Sequence, residues 1–169
     1  MKSATKHLVR AAVIGGVYAA LCFLLQPFSY GAVQIRFSEM LTILPVFTPD
    51  AIWGLTIGCF ISNMLSYSPI DMIFGTLATL VSAICTYKLA NIRFKNLPIL
   101  ATIPPVLINA VVVGLEITYI FMPESASISV LLLNMLSVAI GQMVSCVILG
   151  LALFDIVKKA KPLNQFFSD

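Results

Sequence analysis

The sequence predicts an all-α integral membrane protein of six transmembrane helices with both termini cytoplasmic, and three observations predict it. Of 169 residues, 60% are hydrophobic and 10% charged, whereas water-soluble domains devote about 25% to charge. Mean hydropathy is +1.02, so the surface of this chain is built for lipid. The apolar residues form runs long enough to cross a bilayer, and the basic residues cluster at the ends of those runs.

A bilayer core about 30 Å thick takes roughly 17 to 25 helical residues at about 1.5 Å each. Residues 8–25 form the first span. The run has no small-residue cleavage site and leads into Gln26-Pro27, so it reads as a retained helix and not as a signal peptide. Residues 37–47 are shorter, about 16 Å as an α-helix. Such a segment must tilt, borrow flanking residues or lie inside the protein away from lipid. Thr48-Pro49-Asp50 is a break followed by a helix start. Helices at 51–67, 70–90, 97–121 and 128–157 complete one membrane domain over residues 1–169. Pro104-Pro105 either kinks the fifth helix or delays its start.

Basic residues accumulate on the cytoplasmic side of membrane proteins. Lys2, Lys6 and Arg10 precede or open the first helix, Lys88, Arg93 and Lys95 lie between the fourth and fifth, and Lys158, Lys159 and Lys161 follow the last. Six crossings put all three clusters on one side. Five would move two of them across. Arg36 is then the single outer basic residue.

With orientation set, the polar residues inside the apolar runs concentrate toward the outer half. Arg36 and Glu39 open the second helix, Asn63 lies near the outer end of the third, and Asp71 begins the fourth. Glu116 and Asn134 sit about one and a half turns from outer helix ends, while Asn109 and Gln142 lie deeper. Asn109 and Glu116, seven residues apart, share a helix face. Asn134, Ser137, Gly141 and Ser145 form a stripe on the last helix, flanked by Gln142. Charged groups at such depth pair, line a polar cavity or bind a ligand.

For Glu116 the alternatives to ligand contact are protonation or pairing with Arg36; for Asp71, an N-cap; for the amides, interhelical hydrogen bonding. Trp53 and Phe47 are expected in the cytoplasmic interface belt. Tyr30, Phe37, Tyr67 and Tyr119 lie near the outer side, in the belt or over a planar ligand.

Two small-residue ladders run along the first helix: Ala11, Gly15, Ala19 and Ala12, Gly16, Ala20. They admit close approach of a helix, from this chain or from a separate membrane subunit. Cys22, Cys59, Cys85 and Cys146 stand in apolar runs without metal-binding or disulfide spacing and read as packing residues. The single histidine, His7, is cytoplasmic, and no phosphate-binding glycine loop occurs, so no enzyme chemistry and no cofactor are expected in this chain.

The string Tyr30-Gly31-Ala32-Val33-Gln34-Ile35-Arg36-Phe37-Ser38-Glu39, with Leu41 to Pro45, resembles the start of the QueT family of queuosine-precursor transporters. So do Ala51 to Asn63 and Ile73 to Thr79. The resemblance implies a six-helix, substrate-binding S component of an energy-coupling-factor transporter in the cell membrane. Its implied partners are a transmembrane coupling protein and two ATPase subunits that supply ATP hydrolysis. It implies docking through the first helix, where Gly15 and Gly16 stand at the central rungs of an alanine-rich pattern, and a lid formed by residues 26–36. The implied ligand is a 7-deazaguanine base. Its guanine-like edge suits a carboxylate such as Glu39 or Glu116 and an amide such as Asn63, Asn109 or Gln142, and Asp71 suits a ligand ammonium. Three outer carboxylates against one Arg36 disfavour anionic ligands. The competing readings are the same scaffold carrying another small vitamin or nucleobase, and a structural membrane protein whose polar residues only join helices.

Overall fold

The computed structural model describes residues 3–25, 35–64 and 69–167. Seven α-helices follow one another among them: α1 (Ser3–Leu24), α2 (Asp50–Met64), α3 (Pro69–Lys88), α4 (Ile103–Glu116), α5 (Ile128–Gln142), α6 (Gly150–Lys159) and α7 (Lys161–Phe167). A 3-10 helix, Phe37–Val46, precedes α2. A 3-10 turn leads into α4, and π-helical turns extend α4 and join α5 to α6. Four continuous helical stretches are long and apolar enough to cross a membrane: Ala4–Leu24, Pro69–Lys88, Ile99–Phe121 and Ile128–Lys159. No strand occurs among the described residues.

The short second segment takes the buried option. As a 3-10 helix it rises about 2 Å per residue, so its length is nearer 20 Å than an α-helix would give. Ser38, Glu39 and Leu41 to Pro45 are all buried, walled by α1, α2, α3 and α6. Its polar groups therefore meet protein. The two prolines at 104 and 105 delay the start of α4 by occupying its first turn, where their missing N–H groups leave no helical hydrogen bond unmade.

α1 and α2 approach backbone to backbone, and glycine makes it possible. A Cβ placed on Gly54 would lie 2.7 Å from the Ala11 carbonyl oxygen, and one on Gly58 would lie 2.7 Å from the Gly15 carbonyl oxygen. The backbones themselves are the interface. Around it lies an apolar core of Ile14, Tyr18, Leu41, Leu44, Leu55, Val157 and Phe167.

At the α2 N-terminus Asp50 accepts from Arg10 Nη1 at 3.0 Å, and His7 Nδ1 lies 3.0 Å from both of its oxygens. Arg10 is 4% exposed and is a buried ion-pair partner of Asp50. Its guanidinium lies 5.8 Å from the Phe166 ring, and the Arg93 guanidinium and the Lys158 ammonium lie 5.0 and 5.9 Å from the Phe154 ring. Phe47, half-buried, stacks on Phe154 at 5.0 Å between ring centroids. Trp53 is exposed.

Candidate functional site

Glu39 is the centre of the polar cluster. It is 2% exposed, and the 3-10 helix points it into the bundle. Tyr18 Oη, from α1, donates to Glu39 Oε1 at 2.6 Å. Asn109 Nδ2, from α4, donates to Oε2 at 3.4 Å. Both carboxylate oxygens thus have a protein donor, which offsets part of the cost of burying charge. Tyr18 is absent from the sequence expectations above. The signal for it was a phenol standing alone in an otherwise apolar helix, since a buried tyrosine hydroxyl seeks a partner.

Asp71 organises a second group. Arg36 Nη2 lies 3.8 Å from Asp71 Oδ2, and Asn63 Nδ2 donates to the Asp71 carbonyl oxygen at 3.0 Å. Gly75, one turn along α3, leaves room for this: a Cβ there would fall 2.8 Å from Asn63 Nδ2 and 3.1 Å from Asp71 Oδ1. Asp71 is the third residue of α3, inside its first turn rather than at its cap. Arg36 pairs with Asp71, in place of the pairing with Glu116 considered above.

Glu116, the last residue of α4, is 4% exposed; no hydroxyl or N–H donor among the described residues reaches its oxygens, and its carboxyl group meets that of Asp71. The charged groups acting on it are Asp71 and Arg36. The helix changes to π geometry at the next residue, Ile117–Phe121. The same happens after Gln142, where Met143–Leu149 is π-helical. Wide turns of this kind are frequent at functional sites. Gln142 Oε1 accepts from Cys146 Sγ at 3.0 Å, and Cys146 Sγ also reaches the Glu39 carbonyl oxygen at 3.6 Å. Ser145 Oγ, on the same π turn, is buried without a partner among the described residues.

Six expected residues, Arg36, Glu39, Asn63, Asp71, Asn109 and Glu116, therefore converge through direct contacts or mutual electrostatics, and Gln142 joins them through Cys146. Asn134 does something different: its Nδ2 donates to Thr118 Oγ1 at 3.0 Å and ties α5 to the end of α4. The cysteines are free. Two of them take polar roles rather than purely apolar ones, for Cys59 Sγ accepts from Asn63 Nδ2 at 3.4 Å and from Thr79 Oγ1 at 3.2 Å, as Cys146 bonds Gln142.

The two ladders on α1 part company. Gly15 and Ala19 are buried and Ala11 presents its carbonyl to Gly54, so that ladder is occupied by α2. Ala12, Gly16 and Ala20 are exposed, and a Cβ on Gly16 would meet nothing within 4 Å. Phe37 is half-buried and Tyr119 is exposed. Tyr30, Tyr67 and residues 26–34 of the expected lid lie outside the described residues.

Apolar spans facing outward around buried carboxylates and amides and a half-buried guanidinium define a multi-pass membrane protein with an internal polar site, the architecture of a membrane transporter. The chain belongs to the QueT transporter family, whose model matches residues 8–159. It is similar to the Queuosine precursor transporter QueT of Lactococcus lactis subsp. cremoris (strain MG1363), with 43% identity over 82 residues. That match covers 47% of this chain and 48% of the relative, so it spans about half the length of each. No solved structure matches the chain significantly.

Proposed function

We propose that this chain is the substrate-binding S component of an energy-coupling-factor importer, and that its substrate is a queuosine precursor with a 7-deazaguanine base. The observation that carries the reading is the convergence of Arg36, Glu39, Asp71, Asn109 and Glu116 in a chain of the QueT family. The name of the Lactococcus relative supports the substrate. A guanine-like base presents adjacent N–H donors to a carboxylate and a carbonyl to an amide or guanidinium, and the cluster holds each of these groups. The chain itself is not an enzyme in this reading and carries no cofactor. A transmembrane coupling protein and two ATPase subunits drive inward release, and Ala12, Gly16 and Ala20 are the ladder open to such a partner.

The topology that goes with this function is one domain of six crossings with both termini cytoplasmic. The 3-10 helix and α2 supply the second and third crossings. Support comes from the way Arg10, Arg93 and Lys158, one from each basic cluster, gather over Phe166 and Phe154 at one end of the bundle.

Purified protein in detergent is expected to gain thermal stability with deazaguanines and not with unrelated vitamins. In cells, uptake is expected only when the ATPase subunits are present. A shift with another vitamin and none with deazaguanines refutes the substrate, and uptake without the ATPases refutes the mechanism.

A further inference from the structure

Away from the polar cluster, we infer that a groove between α1 and α6 binds one acyl tail of an anionic phospholipid, whose head group meets Lys158 and Lys161. Val13 and Val17 of α1, Leu41 of the 3-10 helix, Leu153 of α6 and Leu163 and Phe166 of α7 line a cavity of about 350 Å³. Leu41 is buried, whereas Val13, Val17 and Leu163 are exposed, so the cavity runs from the core to the protein surface. Every lining side chain is valine, isoleucine, leucine or phenylalanine. Such a cavity has no donor or acceptor to orient a polar solute, and burying polar groups there would leave them unpaired. α1 and α6 belong to two of the stretches long and apolar enough to cross a membrane, so lipid tails are the hydrocarbon that reaches this opening.

Charge selects the lipid. The Phe166 ring in the groove lies 5.8 Å from the Arg10 guanidinium, which places that end of the cavity at the basic end of the bundle. Lys158 follows the lining residue Val157, and Lys161 opens α7 two residues before Leu163. The carboxylates nearby are already engaged: Asp50 holds Arg10, and Asp155 holds Lys159 at 3.1 Å. Lys158 and Lys161 are exposed and pair with no carboxylate among the described residues. A tail that leaves bulk lipid for the groove exchanges one hydrocarbon setting for another, so it gains packing and little else. A negative head group beside the two lysines adds about fivefold in affinity per basic side chain, and this decides which lipid stays.

The test is scanning calorimetry of the delipidated protein in detergent, with dioleoyl phosphatidylglycerol or dioleoyl phosphatidylcholine added. Phosphatidylglycerol at about ten times its dissociation constant is expected to raise wild-type melting by about 3–6 °C, and phosphatidylcholine by less. Leu163→Trp, which fills the groove from α7, is expected to lose most of the rise with either lipid. Where that variant does not fold, Val13→Phe fills the groove from α1 and is expected to lose it in the same way. Replacing both lysines, Lys158→Gln with Lys161→Gln, is expected to remove about tenfold or more of the preference for phosphatidylglycerol while the response to phosphatidylcholine stays. An equal rise with both lipids in wild type, or a preference that survives loss of the lysines, overturns the head-group assignment and the inference with it. A rise that survives filling of the groove overturns the site. No rise with either lipid overturns the inference as well and leaves the groove to another apolar occupant, such as a helix of a partner subunit.

Discussion

Replacing Gly58 with alanine is the sharpest test of how α1 and α2 hold the site. The new methyl would lie 2.7 Å from the Gly15 carbonyl oxygen and 2.9 Å from Tyr18 Cβ. An ordinary carbon–oxygen contact is about 3.3 Å, so the helices must part by about 0.6 Å. Backbone is the obstacle on the Gly15 side, and no rotamer change relieves it. Overpacking of this kind costs about 1–3 kcal/mol. At about 2–4 °C per kcal/mol for a chain of this size, melting falls by about 2–12 °C.

The displacement also carries Tyr18 away from Glu39, whose 2.6 Å hydrogen bond is the short link between α1 and the cluster. Ligand binding is therefore expected to weaken along with stability. Thermal unfolding in detergent, followed by the fluorescence of Trp53, the single tryptophan, reads the first effect. Gly16→Ala is the matched control, because the methyl there meets nothing within 4 Å. Gly58→Ala melting together with wild type, or Gly16→Ala melting as low as Gly58→Ala, would refute the reasoning.

Three further outcomes follow from the same geometry. Asp50→Ala leaves Arg10 buried without its carboxylate, an uncompensated charge worth about 3–5 kcal/mol of destabilisation, and adding Arg10→Met is expected to restore much of the melting temperature; no recovery in the double variant contradicts the ion-pair account. Tyr18→Phe removes the donor to Glu39 Oε1, and unfolding is expected to become easier by about 1–3 kcal/mol; an unchanged melting curve would show that the bond contributes nothing. Gly16→Leu is expected to leave the isolated subunit's melting unchanged while reducing its co-purification with the coupling and ATPase subunits, and an undiminished complex would exclude that face of α1 from docking.

Much of the site was legible in the sequence because charge in an apolar run is expensive and therefore informative. Arg36, Glu39, Asp71, Asn109 and Glu116 stood out as polar exceptions, and their depths could be compared once the basic clusters suggested an orientation. Arg10 is legible only in part: as a basic residue at a helix end it reads as a topology marker, and its pairing with Asp50, forty residues away, appears only in the folded chain. Tyr18 and Cys146 were missed because a tyrosine or a cysteine in an apolar run is ordinary, and hydrogen bonds to Glu39 and Gln142 are invisible along the chain.

By itself the sequence determined the solvent, the helical class and the residues that cannot face lipid, since each follows from the transfer cost of individual side chains. Tertiary structure decided which of those residues are already satisfied. Glu39 and Glu116 are the same amino acid at similar burial, yet among the described residues one meets the donors Tyr18 and Asn109 and the other meets a second carboxyl group, that of Asp71. It likewise gave Gly15 to α2 and left Gly16 open, though the two are neighbours in the chain. Hydrogen-bond saturation and close approach depend on which helices come together in space, and that is settled only when the whole bundle packs.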